Sequence, residues 1–143
     1  MQYSSDGNGG WNFNCQHGPN ECKGNLYQAC LLNALEGQEK LQLDVLNCIL
    51  ADYQPHLATK KCMNQLQIST PSYEEIENCH STQEGQIILH DFGVVTENLD
   101  PAHMWVPWIT FNNEWSEYSN NIALEALEDY LCTEYLSDVP ECQ

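Results

Sequence analysis

Two series of apolar residues recur every four positions in the first half of the chain. The first series comprises Tyr27, Leu31 and Leu35, and the second comprises Leu41, Val45, Ile49 and Tyr53, flanked by Leu46 and Leu50. Because residues four apart share one face of a helix, the series predict helices over 23–36 and 40–53. Pro55 is expected to end the second helix.

Three further helices are expected, over 57–67, 71–79 and 121–136. The second would begin with Pro71 at its first position, and Glu74 and Glu75 would suit the positive N-terminal end of its dipole. In the last helix the residues expected to face inward are Ala123, Leu127, Tyr130 and Leu131.

The pattern favours strands near the C-terminal end. Residues 103–112 are rich in Trp, Val, Ile and Phe and predict a strand, Asn112–Asn113 a turn, and 114–118 a short returning strand. Residues 83–98 fit either a helix or a strand. Residues 1–14 are polar and glycine-rich and predict a loop or tail, in which Trp11 and Phe13 alternate as in a short strand.

Length and composition predict one globular domain, with 143 residues of which 42% are hydrophobic. The net charge is −17, and the basic residues are four lysines with no arginine. Such a chain repels phosphate groups, so neither nucleic acid nor an anionic membrane is expected as a partner. The acidic surface is either simply solvated or adapted to acidic surroundings, and a lower melting temperature at pH 5 than at pH 8 would contradict the adaptation.

No targeting or membrane segment is recognised in the sequence. No run of about 18 apolar residues predicts a membrane span. Residues 1–7 lack both the positive and the apolar region of a signal peptide.

Eight cysteines, an even number, predict structural disulfides and an oxidising compartment. They are Cys15, Cys22, Cys30, Cys48, Cys62, Cys79, Cys132 and Cys142. Eight cysteines allow 105 connectivities, and the only pair suggested by the helices is Cys48 with Cys62. No two cysteines are separated by two residues, so the C-x-x-C pattern of a reactive dithiol is absent.

Some of these residue types could also support metal or acid–base chemistry. Cys15, His17, Cys22 and Cys30 have ligand types suited to zinc, but their spacing departs from the usual short clasp, and no metal or cofactor is expected. We favour His17 as a residue that orders its loop by a bond to the backbone, over His17 as a general base. Glu74, Glu75 and Glu77 are interpreted as a solvated helix face, and Trp105, Trp108 and Trp115 as core.

Residues 15–30 match the pattern C-Q-H-G-x2-E-C-x2-N-x4-C at every fixed position. This pattern resembles the signature of the gamma-interferon-inducible lysosomal thiol reductase family. The matching residues are Cys15, Gln16, His17, Gly18, Glu21, Cys22, Asn25 and Cys30. The segment from Val106 to Asn112 resembles the family's V-P-W-[IV]-T-x-N strand, and Cys132 and Cys142 fall where the family has a terminal cysteine pair.

The resemblance implies an α/β fold: a truncated, thioredoxin-like, disulfide-rich domain that is mostly helical. Residues 15–100 would hold the signature loop and a helical insertion, with a helix then a loop over 83–98. Residues 101–143 would hold a cis-proline strand, a hairpin and a helix. The Val106–Pro107 turn would face the substrate, in the cis form that proline makes accessible.

The implied activity is reduction of disulfide-bonded protein substrates at acidic pH, in a lysosome or endosome or outside the cell. Because C-x-x-C is absent, we expect no catalytic residue in this chain and no activity from it alone. The alternative is a non-catalytic, disulfide-stapled secreted binding protein. A strand over 103–112 without its inner neighbour would also expose an apolar edge, which predicts self-association.

Overall fold

The computed structural model describes all residues, 1–143. The chain forms two compact units, Met1–Val95 and Thr96–Gln143, which are described separately. The elements are β1 Gln2–Ser5, β2 Trp11–Asn14, α1 Pro19–Ala34, α2 Glu39–Leu50, α3 Thr59–Gln65, α4 Tyr73–Ser81, α5 Gln83–Glu97 and α6 Glu117–Glu134, with 3-10 turns at Pro55–Leu57 and Pro140–Cys142. The fold is mostly helical, with one two-stranded antiparallel sheet. No helix has the length and apolar character required to cross a bilayer.

The core of the first unit lies between α1, α2, α3 and α4. Its buried residues are Tyr27, Cys30, Leu31, Leu35, Val45, Ile49, Ala58, Cys62, Met63, Ile76 and Cys79. The period-four residues of the first two predicted helices therefore supply much of this core. Tyr53 is an exception, since it is 97% exposed. The reason is that α2 ends at Leu50, before the predicted end of the helix at 53.

Two predicted helices begin later than expected. The helix predicted over 57–67 corresponds to α3, which begins at Thr59 after the 3-10 turn Pro55–Leu57. The helix predicted over 71–79 begins at Tyr73, and Pro71 precedes it. Ser72 caps α4, because its side chain accepts from the Glu75 N–H while the Glu75 carboxylate accepts from the Ser72 N–H. This reciprocal capping box fixes the start of the helix two residues after the proline.

Residues 1–14 form a hairpin and not a tail. β1 pairs with β2, with Tyr3 opposite Phe13. In the connecting loop, Oδ1 of Asp6 accepts from the N–H groups of Asn8 and Gly10, at 2.7 and 2.9 Å. The strand alternation predicted for Trp11 and Phe13 is confirmed.

The hairpin is attached to α5. The Trp11 N–H donates to Gln86 Oε1 over 2.9 Å. The Trp11 ring stacks on His90 with the centroids 3.7 Å apart, and Tyr3 meets both rings edge-on. Residues 83–98, which fitted either helix or strand, belong to α5 up to Glu97.

The second unit contains no strand, so the strands predicted over 103–112 and 114–118 are wrong. Phe111 and Glu114 form an isolated bridge with two hydrogen bonds of 2.9 Å. Between them Asn112 and Asn113 have φ angles of 52° and 65°, which confirms the predicted turn and matches type I′. β-prone side chains make a strand only where a neighbour pairs with them, and beyond this single bridge no neighbour pairs with these residues. The strand edge on which self-association was predicted is therefore absent.

The helix α6 begins at a Ser116 cap, earlier than predicted, and is interrupted at Ala126, where φ is −151° and ψ is 56°. Ala123 is buried as expected. Leu127 is 44% exposed, because the interruption shifts the residues that follow away from the predicted face.

Asn120 organises the segment before α6. Its buried Oδ1 accepts from the Ile109 N–H at 2.9 Å and from the Trp115 indole at 3.4 Å. Trp115 stacks on Trp108 with centroids 4.2 Å apart. The third tryptophan, Trp105, is 50% exposed and is not the core residue that was predicted.

Candidate functional site

All eight cysteines are closed in disulfides. The pairs are Cys15–Cys22, Cys30–Cys79, Cys48–Cys62 and Cys132–Cys142. The predicted staple between Cys48 and Cys62 is confirmed and joins α2 to α3. A disulfide sulfur is not the thiolate that zinc requires, so the zinc interpretation of the signature loses its sulfur ligands.

The signature segment is a short loop that enters α1. Gly18 has a φ of 88°, a left-handed conformation that favours glycine, and Pro19 is the first residue of the helix. Cys15 lies in the loop and Cys22 on the first turns of α1, so their disulfide ties the loop to the helix. This covalent closure holds a loop that buries little surface of its own.

His17 orders this loop through Glu21. The Glu21 Oε2 atom accepts from the His17 main-chain N–H at 2.5 Å and lies 3.1 Å from its ring Nδ1. The His17 side chain is 78% exposed. The favoured role as a loop-ordering residue agrees with these contacts, although the partner is a carboxylate and not the backbone.

A cleft of about 390 Å³ opens beside the signature segment. His17, Glu21 and Asn25 line one side, and His56 lines the other. Three of the signature's polar residues therefore meet at one surface. Gln16 is exposed and does not line the cleft.

The Cys30–Cys79 disulfide is buried where α1, α4 and α5 meet. Its two cysteines are 1% and 7% exposed. Gly85 of α5 packs directly on it, since a Cβ at this position would lie 2.5 Å from the Cys79 carbonyl oxygen and 3.0 Å from Cys30 Sγ. This disulfide is a structural element enclosed by helices.

A network of two tyrosines and one carboxylate joins α1 to α4 on the same side. Glu77 Oε2 accepts hydrogen bonds from the hydroxyls of Tyr27 and Tyr73, at 2.5 and 2.7 Å. These bonds hold the pKa of the Glu77 carboxyl below its usual value, and the bond from Tyr27 has the larger effect. Burial, together with the bond to Glu77, raises the pKa of the Tyr27 hydroxyl. The interpretation of Glu77 as part of a solvated face is therefore wrong, while Glu74 is exposed as expected.

His80 extends this network. Its ring stacks on Tyr27 with centroids 3.9 Å apart, and its buried Nδ1 has no hydrogen-bond partner. Burial lowers the pKa of His80. The nearby Glu77 carboxylate partly offsets this by raising the pKa, and Lys23 lowers it further. The pairs within α4, Tyr73 with Glu77 and Glu77 with His80, have the four- and three-residue spacing of helix neighbours, whereas the contacts of Tyr27 with α4 have no signal in the local sequence.

The other predicted site segment, Val106–Pro107, lies in the second unit. Its peptide bond is cis, as expected. Val106 is 76% exposed and its neighbour Met104 is 79% exposed. The turn is thus an accessible apolar surface.

Comparison with known proteins agrees with these features. The family model described as "Gamma interferon inducible lysosomal thiol reductase (GILT)" matches residues 1–66, which include the signature segment. A gamma-interferon-inducible lysosomal thiol reductase of Carassius auratus is 30% identical over 135 residues, which cover 94% of this chain and 52% of that protein.

Two other relatives extend the comparison. The protein of the same name from Mus musculus is 34% identical over 108 residues, covering 74% of this chain and 42% of the relative. A gamma-interferon-inducible lysosomal thiol reductase-like protein of Anopheles gambiae is 28% identical over 141 residues, covering 91% of this chain and 58% of that protein. The chain spans about half the length of the curated relatives it matches. With its signature segment and its disulfides, the chain is similar to the gamma-interferon-inducible lysosomal thiol reductase family, by the family model over residues 1–66 and by the Carassius auratus relative over 94% of this chain.

Proposed function

We propose that this chain is the scaffold part of a thiol reductase that reduces the disulfide bonds of client proteins in an acidic endosomal or lysosomal compartment. The proposal rests on two observations taken together, the match to a named reductase and the closed state of every cysteine. The chain matches a relative named a lysosomal thiol reductase over 94% of its own length, yet all eight of its cysteines are closed in disulfides. A scaffold of this kind positions a reaction whose sulfurs are supplied by polypeptide outside residues 1–143.

The chemistry is thiol–disulfide exchange. A thiolate of the reductase attacks one sulfur of the client disulfide, which breaks the client bond and forms a mixed disulfide. A second cysteine then attacks the mixed disulfide, which releases the client as a dithiol and leaves the reductase oxidised. The client gains two electrons and two protons, and the reductase dithiol loses them. No two cysteines of the chain have the C-x-x-C spacing of a dithiol that carries out these steps.

In this proposal the Val106–Pro107 turn forms the substrate-facing wall beside the external dithiol, in a thioredoxin-like arrangement. The exposure of Val106 and Met104 supports it, because apolar residues at an open turn are available to a client chain. The same exposed residues support self-association of the isolated chain, which sedimentation at micromolar concentration would detect.

The experiment is a chimaera. The part of the Carassius auratus reductase that the match leaves out is fused to this chain, and insulin reduction is measured at pH 5 beside the chain alone. The proposal predicts reduction by the chimaera and none by the chain. A folded chimaera without activity would contradict it.

A non-catalytic, disulfide-stapled secreted binding protein is the second candidate function. It is favoured by the closed disulfides and by the polar cleft beside the signature segment. This candidate predicts that the chimaera folds and remains inactive while the chain still binds its partner.

A further inference from the structure

We infer that the cleft between α1 and the 3-10 turn Pro55–Leu57 is a binding site for an extended, unfolded polypeptide segment. The signature's cysteines are used in disulfides, so its polar residues require a separate explanation. Three of them, His17, Glu21 and Asn25, line this one cleft of about 390 Å³. This volume lies within the range of ordinary ligand sites, which begins at about 300 Å³.

The two walls of the cleft are held in place by different contacts. The Cys15–Cys22 disulfide and the His17–Glu21 hydrogen bonds fix the loop against α1. On the opposite side, the backbone of His56 packs on Gly24, where a Cβ would lie 3.4 Å from the His56 Cα. The cleft is therefore built by the fold, and it is not a gap between independent surface side chains.

The cleft has free hydrogen-bonding groups of both kinds. Asn20 and Gln28 line it, and their side-chain amides have no hydrogen-bond partner in the structure. Both hydrogen bonds from His17 go to Oε2 of Glu21, so Oε1 keeps its capacity to accept. A side-chain amide presents a donor beside an acceptor, which is the pair that an extended peptide backbone requires.

Charge and shape select among ligand classes. The cleft contains one carboxylate, already paired with His17, in a chain of net charge −17. A phosphate or other anion would be repelled by the surrounding chain. Leu50, which is 62% exposed, and Pro55 add an apolar wall that suits a client side chain. A neutral backbone with apolar side chains fits both features.

This inference rests on the proposed function only for the choice of client, an unfolded protein chain. A site that holds the segment next to a client's disulfide would increase the local concentration of that disulfide near the exchanging sulfurs. Cleft binding itself requires no thiol and no reaction.

The test uses the full chain and insulin B chain whose thiols have been blocked as carbamidomethyl groups, which can bind but cannot exchange. Binding is followed by fluorescence anisotropy, and its location by amide shifts in two-dimensional NMR spectra. We expect saturable binding with shifts confined to residues 17–28 and 50–56. Gln28→Ala is expected to weaken binding about five- to tenfold, which is the loss of one or two hydrogen bonds.

Two further variants keep the result interpretable. Asn64→Ala removes an exposed amide on α3, outside the cleft, and should leave the affinity within about twofold. Asn20→Ala replaces Gln28→Ala if the latter does not fold with wild-type disulfides. Absence of saturation, shifts outside the cleft, or equal affinity of the cleft variants and wild type would overturn the inference. Because the probe lacks free thiols, a failure here leaves the chimaera result on insulin reduction unaffected, and the reverse also holds.

Discussion

The hydroxyl of Tyr27 donates a hydrogen bond of 2.5 Å to the Glu77 carboxylate, fifty positions further along the chain. The bond joins α1 to α4, the two helices that the Cys30–Cys79 disulfide also joins. A covalent and a polar connection thus secure the same pair of helices.

Tyr27→Phe should lower the free energy of unfolding by about 1 kcal/mol, since it removes one hydrogen bond and keeps the ring. Chemical denaturation at pH 7 measures this loss. Tyr53→Phe is the matched control, because Tyr53 is 97% exposed. Equal stability of the two variants would show that the Tyr27–Glu77 bond contributes nothing.

Glu77→Gln should change the pH dependence of stability in one direction. Hydrogen bonds from Tyr27 and Tyr73 lower the pKa of Glu77 in the folded state from its ordinary 4.5. A lowered carboxyl pKa stabilises the fold fully above that ordinary value, and the contribution is lost as the pH falls through the folded value. The difference in unfolding free energy between wild type and Glu77→Gln should therefore not shrink between pH 7.5 and pH 5.5, where the Glu77 carboxylate also favours the protonated His80, and should shrink below pH 4.5.

The control for this series is Glu74→Gln on the exposed face of the same helix. A plot of its unfolding free energy against pH should run parallel to that of wild type. A wild-type advantage over Glu77→Gln that already shrinks between pH 7.5 and 5.5 would contradict the account.

His80 should also reduce stability as the pH falls, but over a higher pH range than Glu77. Because burial lowers its pKa from the ordinary 6.5, the unfolded chain takes up a proton that the folded chain resists, and stability falls as the pH drops below 6.5. His80→Phe keeps a ring against Tyr27 and removes the titration. The loss of melting temperature between pH 7.5 and pH 5 should be smaller in this variant than in wild type. His103→Phe, at an exposed position, should leave the loss unchanged, and an unchanged loss in His80→Phe would refute the prediction.

Gly85→Ala should be severely destabilising. The added Cβ would lie 2.5 Å from the Cys79 carbonyl oxygen, and overpacking of this kind costs about 3 kcal/mol or prevents folding. Gly24→Ala is the matched comparison. Its added Cβ would lie 3.4 Å from the His56 Cα, and the substitution would stabilise the helix by up to about 1 kcal/mol. Comparing the yield of oxidised protein and the melting temperatures of the two variants decides the matter. A stable Gly85→Ala would show that α5 does not pack tightly on this disulfide.

The sequence was most informative where periodic apolar residues meet one shared core. Leu31, Leu35, Val45 and Ile49 are all fully buried, as their spacing indicated. The spacing does not reveal contacts between distant residues, so it does not predict the Tyr27–Glu77 bond. The neighbours of Glu77 on α4 indicate only an exposed acidic face.

The strand prediction failed for a related reason. Residues 103–112 have the side chains of a strand, but pairing depends on a neighbouring strand, and propensity does not supply one. In the N-terminal hairpin the opposite holds, because polar residues of β1 find a partner in β2. In the signature segment the pattern identified the residues but not the pairing of Cys15 with Cys22, nor the cleft that His56 completes.

The most direct test of the central claim, that the sulfurs of this chain are structural, is differential alkylation during insulin reduction at pH 5. The chain is incubated with insulin and a small dithiol, free thiols are blocked with a heavy label at intervals, and each cysteine is quantified by mass spectrometry. The account predicts that all eight cysteines stay unlabelled and that insulin reduction does not exceed that of the dithiol alone. A pair of cysteines that gains and loses label while insulin reduction accelerates would contradict it.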